Sequence, residues 1–144
     1  MYLSKIHLVN FRLFSDSLFN LQETTLITGK NGAGKTSVLE AIHVILKSRS
    51  FRTSSMNSLI NLNEDNFLIN AKLDSKTLTF EKKRRSAPVN NGYKTLSYKY
   101  ENFPVLINNF SLAFLESDKE VRRRFLDYFM SVSYTHLRAH ETSH

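Results

Sequence analysis

Apolar and polar residues alternate along this chain with two different periods. Tyr2-Leu3-Ser4-Lys5-Ile6-His7-Leu8 alternates loosely and predicts a strand ending near Asn10-Phe11-Arg12. Short strands are expected at Leu18-Phe19-Asn20-Leu21 and at Thr25-Leu26-Ile27-Thr28. From Thr36 to about Lys47 the period lengthens, with Val38, Leu39, Ile42, Ile45 and Leu46 on one face. Few charges interrupt that stretch, which predicts a largely buried helix. Residues 51–66 are polar and rich in Ser and Asn, a loop with a short helix or strand inside it. Alternation returns at Phe67, Ile69, Ala71 and Leu73 and again at Leu78 and Phe80, predicting antiparallel strands that turn at Asp74-Ser75-Lys76. Asn90-Asn91-Gly92 suits a second hairpin, because Asn-Gly readily takes the positive φ of a tight turn. Pro104-Val105-Leu106-Ile107 reads as one more strand. A last helix is expected from Ser117, where Ser117 and Glu120 form a capping box and Val121, Phe125 and Phe129 share a face.

Composition narrows the class. A chain of 144 residues is one domain or part of a larger one, and 41% hydrophobic residues are enough to bury a core. No apolar run is long enough to span a membrane, and the first residues lack the layout of a secretory signal. There is no Cys, so disulfide frameworks and thiolate metal sites are excluded. A cytoplasmic protein is the expectation. The formal charge is +7, and the segment Lys72–Lys99 holds eight Lys or Arg against only Asp74 and Glu81. An imbalance so concentrated points to a nucleic-acid partner, or else to a solvated, charged hairpin.

The residues that carry chemistry are Gly29-Lys30-Asn31-Gly32-Ala33-Gly34-Lys35-Thr36, which satisfy G-x-x-x-x-G-K-[ST] in full and use three of the chain's four glycines. Glycines let backbone N–H groups turn inward onto phosphate oxygens, and the following helix adds its unpaired N–H groups and positive dipole end. Lys35 would reach the β- and γ-phosphates, and the Thr36 hydroxyl would ligate Mg²⁺. The expected strand at Leu26-Ile27 and the helix from Thr36 supply the strand-loop-helix context of such a loop. Hydrolysis needs in addition an acid at the end of a buried strand. Leu73-Asp74 and Phe80-Glu81 end alternating strands, the wrong pattern, so nucleotide binding without a complete hydrolytic machine is expected.

Leu8-Val9-Asn10-Phe11-Arg12-Leu13-Phe14, the glycine loop with Ser37, and Leu39-Glu40-Ala41-Ile42 resemble the head domains of SMC-like ABC ATPases. Ser48-Arg49-Ser50-Phe51-Arg52-Thr53, Pro104-Val105-Leu106-Ile107 and Arg122-Arg123-Arg124-Phe125-Leu126-Asp127 are similar to the RecF family of bacterial DNA replication and repair proteins. The resemblance runs over residues 1–130. It implies an α/β P-loop NTPase head, incomplete here, with an antiparallel β lobe at about 66–101. It also implies ATP and Mg²⁺ as ligands, with Gly29 to Ser37 taking the nucleotide and Arg12 near its phosphates. Further implications are an ATP-dependent homodimer, recombination mediator proteins as partners, and binding to DNA at gaps or single-strand/double-strand junctions. Lys82, Lys83, Arg84 and Arg85 would then offer positive charge to DNA phosphates.

Departures from the family pattern qualify this. Its members are more than twice as long, and their signature motif and Walker B strand lie downstream of the matching region. Asn108-Asn109-Phe110-Ser111-Leu112 stands where a Pro-Glu-Asp-Leu type of sequence is common. Residues 131–144 resemble a translated sequencing adapter and read as a non-native tail, despite His136, His140 and His144 at helical spacing. Two other classes stay open from the residues alone: a small nucleotide or metabolite kinase, and a basic DNA-binding module whose glycine loop is only a structural anion site.

Overall fold

The computed structural model describes residues 2–91 together with Lys119, Glu120 and Arg123. Residues 2–91 belong to one compact unit, and the last three residues to a second. Lys119, Glu120 and Arg123 are helical and exposed, in line with the helix expected from Ser117. The expected strand at Pro104–Ile107, the remainder of the Arg122–Arg124 run, Gly92 and the tail from 131 lie outside the described residues.

Alternation at the start of the chain produces β1 (Leu3–Phe11), and a two-residue turn at Arg12 and Leu13 returns it as β2 (Phe14–Asn20). After the glycine loop comes α1 (Lys35–Lys47), then a single 3-10 turn at Met56–Leu59. The hairpin of β3 (Asn66–Leu73) and β4 (Lys76–Lys83) follows, and β5 (Val89–Asn90) closes the order. The five strands among the described residues form one antiparallel sheet in the order β2-β1-β3-β4-β5. β2 is four residues longer at its start than its apolar residues suggest; it is an edge strand with mostly solvent-facing positions, so Ser15 and Asp16 are tolerated in it.

Register puts the core on one face. Ile6 pairs Ala71 and Leu8 pairs Ile69, while Ala71 pairs Leu78 and Ile69 pairs Phe80. These side chains, with Phe67 and Leu73, are buried against Ala41, Val44, Ile45 and Leu46 of α1. Phe67 joins the two ends of this layer, edge-on to Phe11 at 5.2 Å and stacked on Phe80 at 5.8 Å. The opposite face carries His7, bonded to Asp16 at 2.7 Å, and the Thr79–Asn70 pair at 2.9 Å. β2 and β3 both run antiparallel to β1, and therefore parallel to each other. The connection between them carries the glycine loop and α1.

Two expectations are corrected. Thr25–Thr28 forms no strand, and Leu26 is 86% exposed. A strand exists only where a neighbour exchanges ladder hydrogen bonds with it, and the five described strands all pair among themselves. The helix does form and is buried, but its face is rotated: Leu39 is 46% exposed whereas Glu40 is fully buried. A carboxylate inside the core needs partners, and α1 has turned to give it them.

Candidate functional site

The glycine loop owes its shape to backbone conformations that other residues resist. Gly32 has φ 83° and Gly34 has φ 93°, both in the left-handed region. At Gly34 a second reason applies, since a Cβ there would lie 2.6 Å from Cζ of Phe14 and 3.1 Å from Cδ2 of Leu13. Gly34 is the N-cap of α1; no side chain caps that end and no acidic residue occupies its first turn. An uncapped, uncompensated N-terminus is the electrostatic counterpart of an anion. Lys35 folds back over the loop, its Nζ donating to the carbonyls of Gly29 (2.7 Å) and Lys30 (2.8 Å). The loop therefore holds one ammonium at its centre, beside the helix end. Lys30, Asn31, Ala33 and the Thr36 position are solvent-accessible, while Ser37 is buried.

These features fit a nucleoside triphosphate. Backbone N–H groups of the loop would surround the β-phosphate, Lys35 would exchange its carbonyl partners for phosphate oxygens, and the Thr36 hydroxyl would hold Mg²⁺. Among the described residues there is no cluster of three His, Asp or Glu side chains that could bind a metal by itself. A metal here would depend on the nucleotide for most of its ligands.

Arg12, expected near the phosphates, has its described side-chain bonds with protein groups. It stands in the β1–β2 turn at φ 56°, with its N–H donating to the Leu59 carbonyl at 2.7 Å. Its guanidinium grips Glu40, Nε to Oε2 at 2.9 Å and Nη2 to Oε1 at 2.8 Å, and Nη1 donates to the Ser58 carbonyl at 3.1 Å. Glu40 also accepts from Ser50 Oγ at 2.5 Å and from Arg52 Nη1 at 3.3 Å. Burial raises the pKa of Glu40, but the hydrogen bonds of Arg12 and Ser50 and the charges of Arg12 and Arg52 outweigh it. The carboxyl is held below its ordinary range. Three of the five N–H groups of Arg12 are thus engaged inside the protein.

Pattern reading did not mark Glu40 as a site residue. The signal was an acid in the middle of an apolar helix face, followed ten and twelve residues later by Ser50 and Arg52. Its neighbour His43 is pushed towards the neutral form, chiefly by burial and further by the charges of Arg49 and Lys47. The bond to the Arg49 carbonyl at 2.7 Å and the charge of Glu40 oppose this only in part.

The basic run does not present four equal charges. Lys82 falls on the core face of β4, is 8% exposed, and donates to the carbonyls of Lys83 and Ser86 at 2.5 and 2.6 Å. Its ammonium, expected to offer charge to DNA phosphates, is thus bonded to carbonyls of its own chain. Lys83 pairs loosely with Glu81 at 3.5 Å, and Arg84 lies on the Glu64 carbonyl at 2.7 Å and near Asp65 at 3.6 Å. Lys83, Arg84 and Arg85 are all exposed. A hydrophobic run closing on an acid does occur at Leu112-Ala113-Phe114-Leu115-Glu116, which qualifies the expectation of an incomplete hydrolytic machine; it lies outside the described residues. No helix among the described residues is long and apolar enough to cross a membrane.

Known proteins resemble this chain in sequence and in structure. The chain is 35% identical to the DNA replication and repair protein RecF of Francisella tularensis subsp. novicida (strain U112), over 89% of its own length and 39% of the relative's. RecF of F. tularensis subsp. holarctica (strain OSU18) is 34% identical over the same shares. In structure it matches the recombination mediator protein RecF solved with ATP, with a TM-score of 0.67, 28% identity, and coverage of 91% of this chain and 39% of that one. The chain thus spans about two-fifths of the length of these relatives, 39% in each case. It is homologous to their N-terminal region, and its sheet and helix form part of a P-loop ATPase fold. The family model for the AAA ATPase domain matches residues 1–140, and the chain belongs to that family.

Proposed function

We propose that this chain is the ATP-binding N-terminal portion of a RecF-type protein of DNA replication and repair. The observation that carries the reading is the glycine loop itself, with two left-handed glycines, Lys35 aimed across it and the open N-terminus of α1. Gly29 to Ser37 hold the triphosphate, and Thr36 holds Mg²⁺ through it. The whole protein binds DNA in an ATP-dependent way at gaps or junctions, pairs with a second copy around the nucleotide, and works with recombination mediator proteins. Those last roles follow from the family resemblance, and this chain covers 39% of its relative's length. The solved relative carries ATP and is described as a recombination mediator of the RecFOR pathway, which supports the nucleotide and the class of partner.

Titration of the chain with ATP and Mg²⁺, followed by calorimetry, tests the binding step. Lys35→Ala is expected to weaken ATP at least about tenfold, the scale of a lost charge-assisted contact, while leaving the fold intact because Lys35 is not part of the core. Equal affinity in the wild type and the variant would exclude the loop as the site. Phosphotransfer to a small-molecule acceptor by the chain alone would instead favour a kinase.

A further inference from the structure

Glu40 takes no part in the phosphate chemistry proposed above, yet it is the most heavily bonded side chain of α1. It is 0% exposed and accepts from Arg12 twice, from Ser50 and from Arg52. These partners belong to the β1–β2 turn and to the segment after α1, so three stretches of chain meet on one carboxylate. A buried ion pair is an expensive way to fix a helix, because apolar residues of similar volume usually serve as well for stability alone. Its geometry is what apolar packing cannot reproduce: a planar fork that sets both distance and rotation.

A second, separate contact involves the same turn. Leu13 and Phe14 fill the space beside Gly34, at the N-cap of α1. The turn and the first residue of β2 therefore hold α1 at two places, at its N-cap Gly34 and about 9 Å further along its axis, six residues on at 1.5 Å each. Arg12 reaches Glu40 from a left-handed conformation that costs a non-glycine residue about 1 kcal/mol or more. Strain retained at this point argues that the placement of Arg12 matters.

We propose that Arg12 and Glu40 are positioning residues for the nucleotide loop: their bidentate pair fixes the rotation of α1 against the β1–β2 turn, keeping the loop N–H groups convergent on phosphate. Arg12 then acts through Glu40 and is not itself a phosphate ligand. The proposal rests on the ATP reading above.

The test is a double-mutant cycle on the full chain, with ATP and ADP affinities measured in Mg²⁺ and urea midpoints alongside. Arg12→Lys keeps the charge but loses the fork, and Glu40→Gln keeps the shape but loses the charge. Each single variant is expected to weaken ATP and ADP alike, by roughly tenfold, and the double variant to be no weaker than either. Loss in Arg12→Lys with unaltered affinity in Glu40→Gln would make Arg12 a direct ligand and overturn the proposal. So would a shift in urea midpoint with nucleotide affinities unchanged, which is the mark of a purely structural pair. Should Glu40→Gln not fold, Ser50→Ala replaces it, stripping one donor from the same carboxylate and loosening the turn that carries Arg52, while leaving the Arg12 and loop residues unchanged. Weaker ATP and ADP binding in that variant supports the positioning role, and wild-type affinity overturns it. Wild-type binding no better than that of Lys35→Ala would remove the ATP reading, and the positioning role with it, a result distinct from all the others.

Discussion

Gly34 and Gly32 occupy similar left-handed conformations in surroundings that differ. An Ala at either position carries the αL strain of about 1 kcal/mol, but only at Gly34 does the new methyl group meet a ring carbon, at 2.6 Å. Gly34→Ala is accordingly expected to lower stability by about 2–4 kcal/mol, strain plus overpacking, and Gly32→Ala by about 1 kcal/mol. Urea denaturation of the two variants compares them directly, and equal losses would mean that Phe14 yields freely. The glycines and Lys35 were legible in the sequence because their chemistry is local: spacing alone brings them together. Arg12 and Lys82 were not. Arg12 finds its carboxylate 28 residues away, and Lys82 is turned inward by a register that only the pairing Phe67↔Lys82 defines. A count of charges along the chain cannot tell an inward lysine from an outward one.

Helices and strands divide in the same way. The hairpin of β3 and β4 was readable from alternation, since its partner strand is the next one in the chain. Thr25–Thr28 has strand composition and no strand, because pairing is a property of two segments. The helix was readable, its rotation was not: an apolar average favours Leu39 on the inside, and the ion pair of Glu40 overrides it. That choice makes α1 sensitive to acid. The pKa of Glu40 is depressed in the folded chain, so its contribution is complete above the ordinary value of 4.5 and is lost as pH falls through the folded value. His43 is depressed too, below its ordinary 6.5, so the fold favours the neutral ring and loses stability as pH drops beneath that point. Urea midpoints measured from pH 8 downward should hold a plateau and then fall in two stages. His43→Gln is expected to remove the upper stage and Glu40→Gln to flatten the lower one. A stage that survives its own variant would assign it to other groups.

Across the whole molecule the charge of +7 is distributed unevenly in its availability as well as in sequence. If the β lobe contacts DNA, the exposed Lys83, Arg84 and Arg85 supply the phosphate contacts. Replacing each by Glu should weaken binding for all sequences and make the salt dependence shallower by about 0.9 per lost contact. Lys82→Met should leave that slope unaltered and change stability instead, since its ammonium serves two carbonyls of its own chain. A slope that responds to Lys82 as strongly as to Arg85 would argue that the lobe rearranges on DNA.

The connection between β2 and β3 has a bearing on motion. The chain leaves the sheet at Asn20 and re-enters it at Asn66, on the far side of β1. Everything that would touch a nucleotide lies on this one excursion, tethered at both ends to strands that flank a third. The exposed glycine loop at its start can open while α1 and the ladder of β1, β3 and β4, which share one core, stay closed. Amide hydrogen exchange should then register two populations, faster protons along residues 29–34 and slower ones at Ile6, Leu8, Val44 and Ile69. ATP, anchored to the excursion alone, would slow the first population towards the second and leave the second where it was.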